Sequence, residues 1–339
     1  GHCSGYGANA ITGDHNYVIG CHAGRCISSG GNNIFFGKNV ASSCEVTAVD
    51  NIIIGTEAGR KLTSGSYNVF MGEYAGCSNT TGCCNIYLGK DAARSLSAGQ
   101  HNIIGGYQAG YSGSSAGYNV VLGYLAYTNL CTGSNNVAFG LMSGYCNCGG
   151  DDNVYIGTRV AYNGTDNSDN VFIGNQVACS GYMNQSCCNI AIGYKALFGL
   201  SLGDDNIVLG NQAGLSLTEG CRNIFLGQCA GNTNTTGHCN IAIGYDVELP
   251  SATSNRQFAI GEGTNRWIYG DSNFNIYDKD GNQLNGSGGG GGGGLWSQTS
   301  VGINTLSSVG IGTTNPQSKL EVNVGTAVSA FDIQGSAGQ

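Results

Sequence analysis

Along most of this chain, apolar residues arrive in bursts of three, each opened by Asn and closed by Gly. The first burst is Asn16-Tyr-Val-Ile-Gly20 and the last full copy is Asn240-Ile-Ala-Ile-Gly244. The opening residues are Asn16, Asn33, Asn51, Asn68, Asn85, Asn102, Asn119, Asn136, Asn153, Asn170, Asn189, Asn206, Asn223 and Asn240. Eleven of the thirteen intervals are 17 residues, and the other two are 18 (Asn33 to Asn51) and 19 (Asn170 to Asn189). Fixed chemistry at fixed phase marks a solenoid, one coil per repeat. The triplet after each Asn is rich in β-branched residues and bounded by turn formers, which predicts a short strand. The fold class read from this pattern is all-β: a parallel β-solenoid or β-roll of 17-residue repeats, with Asn as a structural ladder, followed by a smaller β-rich C-terminal region.

Numbering each coil from its Asn as position 0, strand alternation puts +1 and +3 on one side and +2 on the other. Position +1 is Ile or Val except at Tyr17, and +3 is Ile, Leu, Phe or Met except at Gly105. This uniform ladder is expected to line the inside of the coil. Position +2 is also apolar, with Phe35, Phe70, Tyr87, Tyr155 and Phe172 among its members. A strand apolar on both sides is covered on both sides, and a 17-residue coil has one interior. The +2 stripe is therefore expected to face other copies of the chain, with a homotrimer as the closed form. Position +7 is Ala in nine coils, Val in four and Ser143 in one, which suits a tight corner. Gly recurs at −3, as at Gly65, Gly82 and Gly203, where a corner of positive φ is expected. The two longer intervals are expected to be bulges in the variable turn.

Residues 1-256 thus form the solenoid of about fourteen coils, the first 15 reading as a partial coil. Residues 257-287 are a degenerate coil, in which Gln257 replaces Asn, and a β connector. Its strands are expected at Arg266–Tyr269 and Phe274–Tyr277, with a hairpin turn at Asp278–Asn282. Seven consecutive Gly at 288-294 read as a linker, and 295-339 as a last β segment.

Composition narrows the functional classes. A net charge of −8 with no basic stripe argues against nucleic acid, and no apolar run approaches a membrane span. Five scattered His without H-x-H or H-E-x-x-H spacing give no metal or cofactor motif. Asp151-Asp152 and Asp204-Asp205 fall just before strand Asn residues and read as solvated corners, so the chain is not expected to be an enzyme. The sixteen Cys show no zinc spacing and read equally as turn thiols or as disulfides. Two pairs become vertical neighbours if coils stack Asn over Asn: Cys131 with Cys148, and Cys26 with Cys44. Their Cα atoms are then expected roughly 4.8 Å apart, within the disulfide window.

The coil phrase N-[IV]-x-[IL]-G-x-x-A resembles the head repeats of trimeric autotransporter adhesins. The stretch from Val301 to Val322, V-G-I-N-T…V-G-I-G-T-T-N-P-Q-S-K-L-E-V, resembles a segment of bacteriophage tail fibres that precedes an intramolecular chaperone. Both families are homotrimeric fibrous adhesins. The resemblance implies a structural and receptor-binding segment of a phage tail fibre in the virion or at an extracellular surface. Its implied partners are its own copies, other virion proteins and a host cell-surface glycan or protein. The alternative is a bacterial trimeric surface adhesin. Turn residues vary between coils, so Tyr111, Tyr127, Tyr145, Tyr162 and Tyr182 are the candidate receptor contacts; an equal reading is that these rings cover apolar edges.

Overall fold

A computed structural model describes residues 13–43 and 45–285, together with two short strands nearer the C-terminus. The chain falls into two compact units, Gly1–Ser287 and Gly288–Gln339.

In the first unit every Asn-initiated triplet is a strand. They are β1 (Tyr17–Ile19), β2 (Ile34–Phe36), β3 (Ile52–Ile54), β4 (Val69–Met71), β5 (Ile86–Leu88), β6 (Ile103–Gly105), β7 (Val120–Leu122), β8 (Val137–Phe139), β9 (Val154–Thr158), β10 (Val171–Asn175), β11 (Ile190–Tyr194), β12 (Ile207–Leu209), β13 (Ile224–Leu226) and β14 (Ile241–Ile243). Each pairs in parallel with the next, equivalent residue over equivalent residue, as Val69 over Ile52 and Ile86 over Val69. The long intervals do not disturb this: Val171 still pairs with both Val154 and Ile190. No helix occurs among the described residues, and the fold there is a parallel β-solenoid.

The invariant Asn is explained by its hydrogen bonds. The residue before it is left-handed in every coil, from His15 (φ 62) to Arg256 (φ 57), and that bend turns the Asn N–H away from the backbone ladder. The amide oxygen of the preceding Asn accepts it instead: Asn119 N–H donates to Asn102 Oδ1 at 3.0 Å, and Asn136 N–H to Asn119 Oδ1 at 2.9 Å. The Asn119 Nδ2 donates to the same Asn102 oxygen at 3.0 Å and to the Gly133 carbonyl at 2.9 Å. Asn33 and its successors are fully buried, so each polar atom needs such a partner. Gln257 ends the column, its N–H donating to Asn240 Oδ1 at 2.8 Å.

The strand faces are the reverse of the sequence expectation. Position +2 points inward, with Phe35, Tyr87, Tyr155 and Phe172 wholly buried, while +1 and +3 lie outside. The physical reason is parity: positions 0 and +2 share a side, so once the Asn ladder is internal the +2 residue must be too. Inside, +2 packs against the small +7 column, which is buried along its whole length from Ala23 to Val247. Core aromatics stack along the axis, Phe70 on Tyr87 at 4.6 Å and Tyr155 on Phe172 at 5.7 Å between ring centroids.

The glycines also differ from expectation. Those at −3 do not carry positive φ; their requirement is close approach, since a Cβ on Gly65 would stand 2.3 Å from the Gly82 carbonyl oxygen of the next coil. The closing Gly at +4 needs both freedoms. At Gly106 φ is +124 and a Cβ would stand 2.2 Å from the Gly123 oxygen.

The fifteenth coil keeps phase as β15 (Phe258–Glu262), parallel to β14. The chain then reverses into β16 (Asn265–Gly270) and β17 (Ile276–Asp278), both antiparallel. β16 begins at Asn265 and β17 follows Phe274 rather than containing it. The turn after β17 closes as a hairpin, Gly281 N–H donating to the Asp278 carbonyl at 3.1 Å. In the second unit β18 (Val309–Ile311) pairs in parallel with β19 (Leu320–Val322). The poly-Gly stretch and the expected strand near Val301 lie outside the described residues.

Candidate interaction face

The odd positions −1, +1, +3 and +5 share the outer side of the sheet. Position +6, at the left-handed bend just past it (Arg159 φ 51, Lys195 φ 53, Asp246 φ 51), borders the +5 column, Lys195 lying over the Tyr194 ring. Columns +1 and +3 form a continuous apolar strip in which Ile34 is 40 % exposed, Phe36 51 %, Ile103 41 % and Ile190 38 %. Fourteen coils at about 4.8 Å and three residues of width make this strip roughly 65–70 Å by 10 Å, or about 650 Å². The largest apolar patch on a typical monomer is about 300–600 Å². The strip is therefore large, flat and regular, with one notch at Gly105, where a Cβ would stand 2.8 Å from Leu122 Cδ2.

Two polar columns border it. On the −1 edge, His101 stacks on Tyr118 at 4.8 Å, and Asp152, Asp169, Asp205, Arg222 and Arg256 follow, all exposed. On the opposite edge, Tyr107 stacks on Tyr124 at 5.3 Å, followed by Arg159, Lys195 and Asp246 at +6 and Glu262 at +5. Nearer the N-terminus most charges on that opposite edge are paired within the chain, Glu57 with Arg60 at 3.0 Å, Lys90 with Glu73 at 2.9 Å and Asp91 with Arg94 at 2.8 Å. Lys38 at +5 is exposed, with no ion pair among the described residues. Sequence reasoning did not single out these edges. The signal was the period itself, since stepping one repeat from Tyr107 gives Tyr124.

No family model, curated protein or solved structure matches the chain.

The candidate tyrosines separate into two groups. Tyr182 is 79 % exposed, and Tyr145 stacks on Tyr162 at 5.0 Å in a half-buried surface column at +9 that also holds Tyr111. Tyr127 is not a surface contact. It occupies +8, a left-handed position (φ 47) filled by Gly or Ala in most coils, and its ring lies wholly inside. There Asn147 Nδ2 donates to its hydroxyl at 2.8 Å and to that of Tyr155 at 3.2 Å. Burial raises both phenol pKa values well above the ordinary range.

Cys131 and Cys148 form a disulfide between neighbouring coils, with Cα atoms 4.8 Å apart. Cys26 is half-buried and free, and its expected neighbour Cys44 lies outside the described residues. Burial raises the Cys77 and Cys179 thiols, and a hydrogen bond with Cys188, reinforced by burial, pushes Cys187 up to about 12. These thiols are protonated at neutral pH, the opposite of an activated nucleophile.

The first acid of each Asp pair serves the backbone. Asp151 Oδ1 accepts the Ser134 N–H at 2.7 Å and Asp204 Oδ1 accepts the Cys187 N–H at 2.8 Å. Among the described residues no three His, Cys, Asp or Glu converge as a metal site, and no helix is long and apolar enough to cross a membrane.

Proposed function

We propose that the chain is a structural and receptor-binding segment of a phage tail fibre, working as a parallel homotrimer whose +1/+3 strips face a common axis. The exposed apolar strip carries this reading. An uncovered strip of that size and regularity is an aggregation hazard, and its extent approaches the ~800 Å² per partner of a standard interface.

The width of the face favours three copies. Packed sheets lie about 10 Å apart, so one layer of side chains fills about 5 Å. Three faces about 15 Å wide, edge columns included, enclose a triangle whose centre is about 4 Å from each side; four enclose a square with its centre about 7–8 Å away. One layer of Ile, Val and Leu fills the first and leaves a hole in the second. The assembly would hold outward turns along a stiff shaft, with Tyr111, Tyr145, Tyr162 and Tyr182 as contacts to a host-surface glycan or protein. The tail-fibre-like phrase at Val301–Val322 supports the viral setting.

Light scattering on the purified chain tests the assembly, with a mass three times 34.7 kDa expected. A mass of one chain at micromolar concentration would sink it. Binding of the trimer to host cells, weakened by Tyr182→Ala, tests the adhesive part; undiminished binding removes Tyr182 from the contact surface.

A further inference from the structure

The apolar strip repeats about every 4.8 Å, so two copies could slide past one another by a few coils and still bury most of the same surface. Something else must fix their height. We infer that the two bordering columns form a register key, the −1 edge of one copy mating with the +5/+6 edge of a second copy at the same coil level. This rests on the self-assembly reading above and adds which residues meet.

Rotation about an axis parallel to the solenoid brings the −1 edge of one chain against the opposite edge of the next. The charges then match along the C-terminal half. Where the −1 edge is acidic, at Asp152, Asp169 and Asp205, the other edge carries Arg159 in the coil of Asp152 and Lys195 between Asp169 and Asp205. Where the −1 edge turns basic, at Arg222 and Arg256, the other edge turns acidic, at Asp246 and Glu262. Among the described residues, Asp152, Asp169, Arg159 and Glu262 have no ion-pair partner in their own chain. Arg222 has one long contact to Asp205 at 3.8 Å, and Lys195 lies over the Tyr194 and Phe198 rings. In the middle, the His101–Tyr118 stack meets the Tyr107–Tyr124 stack, both at coils six and seven. A slip of four coils toward the C-terminus sets Arg222 against Arg159, so a large stagger loses attraction and gains repulsion. A one-coil stagger would still set Asp169 against Arg159 and Asp205 against Lys195, but identical interfaces that each rise by a coil do not close a ring of three.

The test uses the full chain, with dissociation followed by sedimentation equilibrium in low and high salt. Arg159→Glu/Lys195→Glu makes both edges acidic at these levels and is expected to weaken assembly at least tenfold in low salt, with much of the loss recovered in high salt. Adding Asp152→Lys and Asp169→Lys restores opposition with the signs exchanged and should return affinity to within about threefold of wild type. Circular dichroism of each variant confirms the fold. Carbodiimide coupling of a mixture of ¹⁵N-labelled and unlabelled wild-type chains should give inter-chain links from Lys195 to Asp169 or Asp205. An oligomer indifferent to the double reversal, or cross-linked between residues more than one coil apart, overturns the register key alone. A wild-type chain that stays monomeric overturns the assembly reading and the key with it.

Discussion

Asn119→Ala removes one rung of the buried amide ladder from the middle of the stack. The missing Oδ1 was the acceptor for Asn136 N–H at 2.9 Å and for Asn136 Nδ2 at 3.1 Å. The missing Nδ2 was a donor to the Gly117 and Gly133 carbonyls, both at 2.9 Å. The Asn136 backbone N–H is left with no acceptor, and its Nδ2 keeps only the Gly150 carbonyl at 2.8 Å. Gly117 O still accepts the Asn135 N–H at 3.1 Å, so it loses less. Two groups lose a main partner, at about 1–3 kcal/mol each, giving an expected loss of about 3–5 kcal/mol once the small void is included. Because each coil contacts only its neighbours, the loss should be local. Hydrogen exchange read by mass spectrometry should show deprotection of coils seven and eight, Asn136 N–H foremost, with coils two to four unchanged. Guanidinium melting should show a lower midpoint. A midpoint shift worth less than about 1 kcal/mol, or uniform deprotection of all coils, would refute the ladder as the element that joins one coil to the next.

Other expectations follow from single sites. Asn79 is buried beside the Tyr87 hydroxyl with no well-formed hydrogen bond to either amide atom, in the column that places Leu62 and Leu96 in the coils on either side. Asn79→Leu combined with Tyr87→Phe removes all three buried polar atoms and should raise stability by about 1–2 kcal/mol in denaturant melts. Gly106→Ala, with φ +124 and the Gly123 oxygen in the way, should cost more than about 3 kcal/mol and sharply reduce soluble yield. Cys131→Ser/Cys148→Ser should lower stability by up to about 3 kcal/mol, the loop-entropy value for a closure of this length, and abolish any effect of reductant on the melting temperature that this bond causes. Small-angle scattering should give fourteen coils a length of about 65–70 Å; a compact particle would contradict the stacking.

Period, strand position and stacking register were legible because they depend on spacing alone. The side of the strand that faces inward was not, since both sides are apolar and alternation has no sign. Two signals would have given it. Asn and +2 have the same parity, so an internal Asn ladder forces an internal +2. In some coils column +2 also trades volume with +11, as Tyr155 with Gly164 and Ala191 with Leu200, although Tyr87 stands with Leu96; such trading is the mark of a confined space. Columns +1 and +3 show no such compensation and stay large apart from Gly105. Tyr127 was misplaced for a related reason: composition marks a turn Tyr as exposed, whereas its column of Gly24, Gly59 and Gly76 marks an inward, crowded position. The edge charges were hidden because they are spread one per coil and come together only when the chain is read down the stack.

The unbroken vertical alignment of equivalent residues has a genetic corollary. A shaft built this way has a length written in whole repeats, so an in-frame duplication or loss of one repeat changes its reach by about 4.8 Å and leaves every other junction as it was. The 18- and 19-residue coils show that small errors at such a crossover are absorbed in the loop, since Phe35 still lies over Ile53 and Phe172 over Ala191. In a homomer all copies inherit the same change at once. Recombination between near-identical repeats could therefore tune the length of the stack without any compensating substitution.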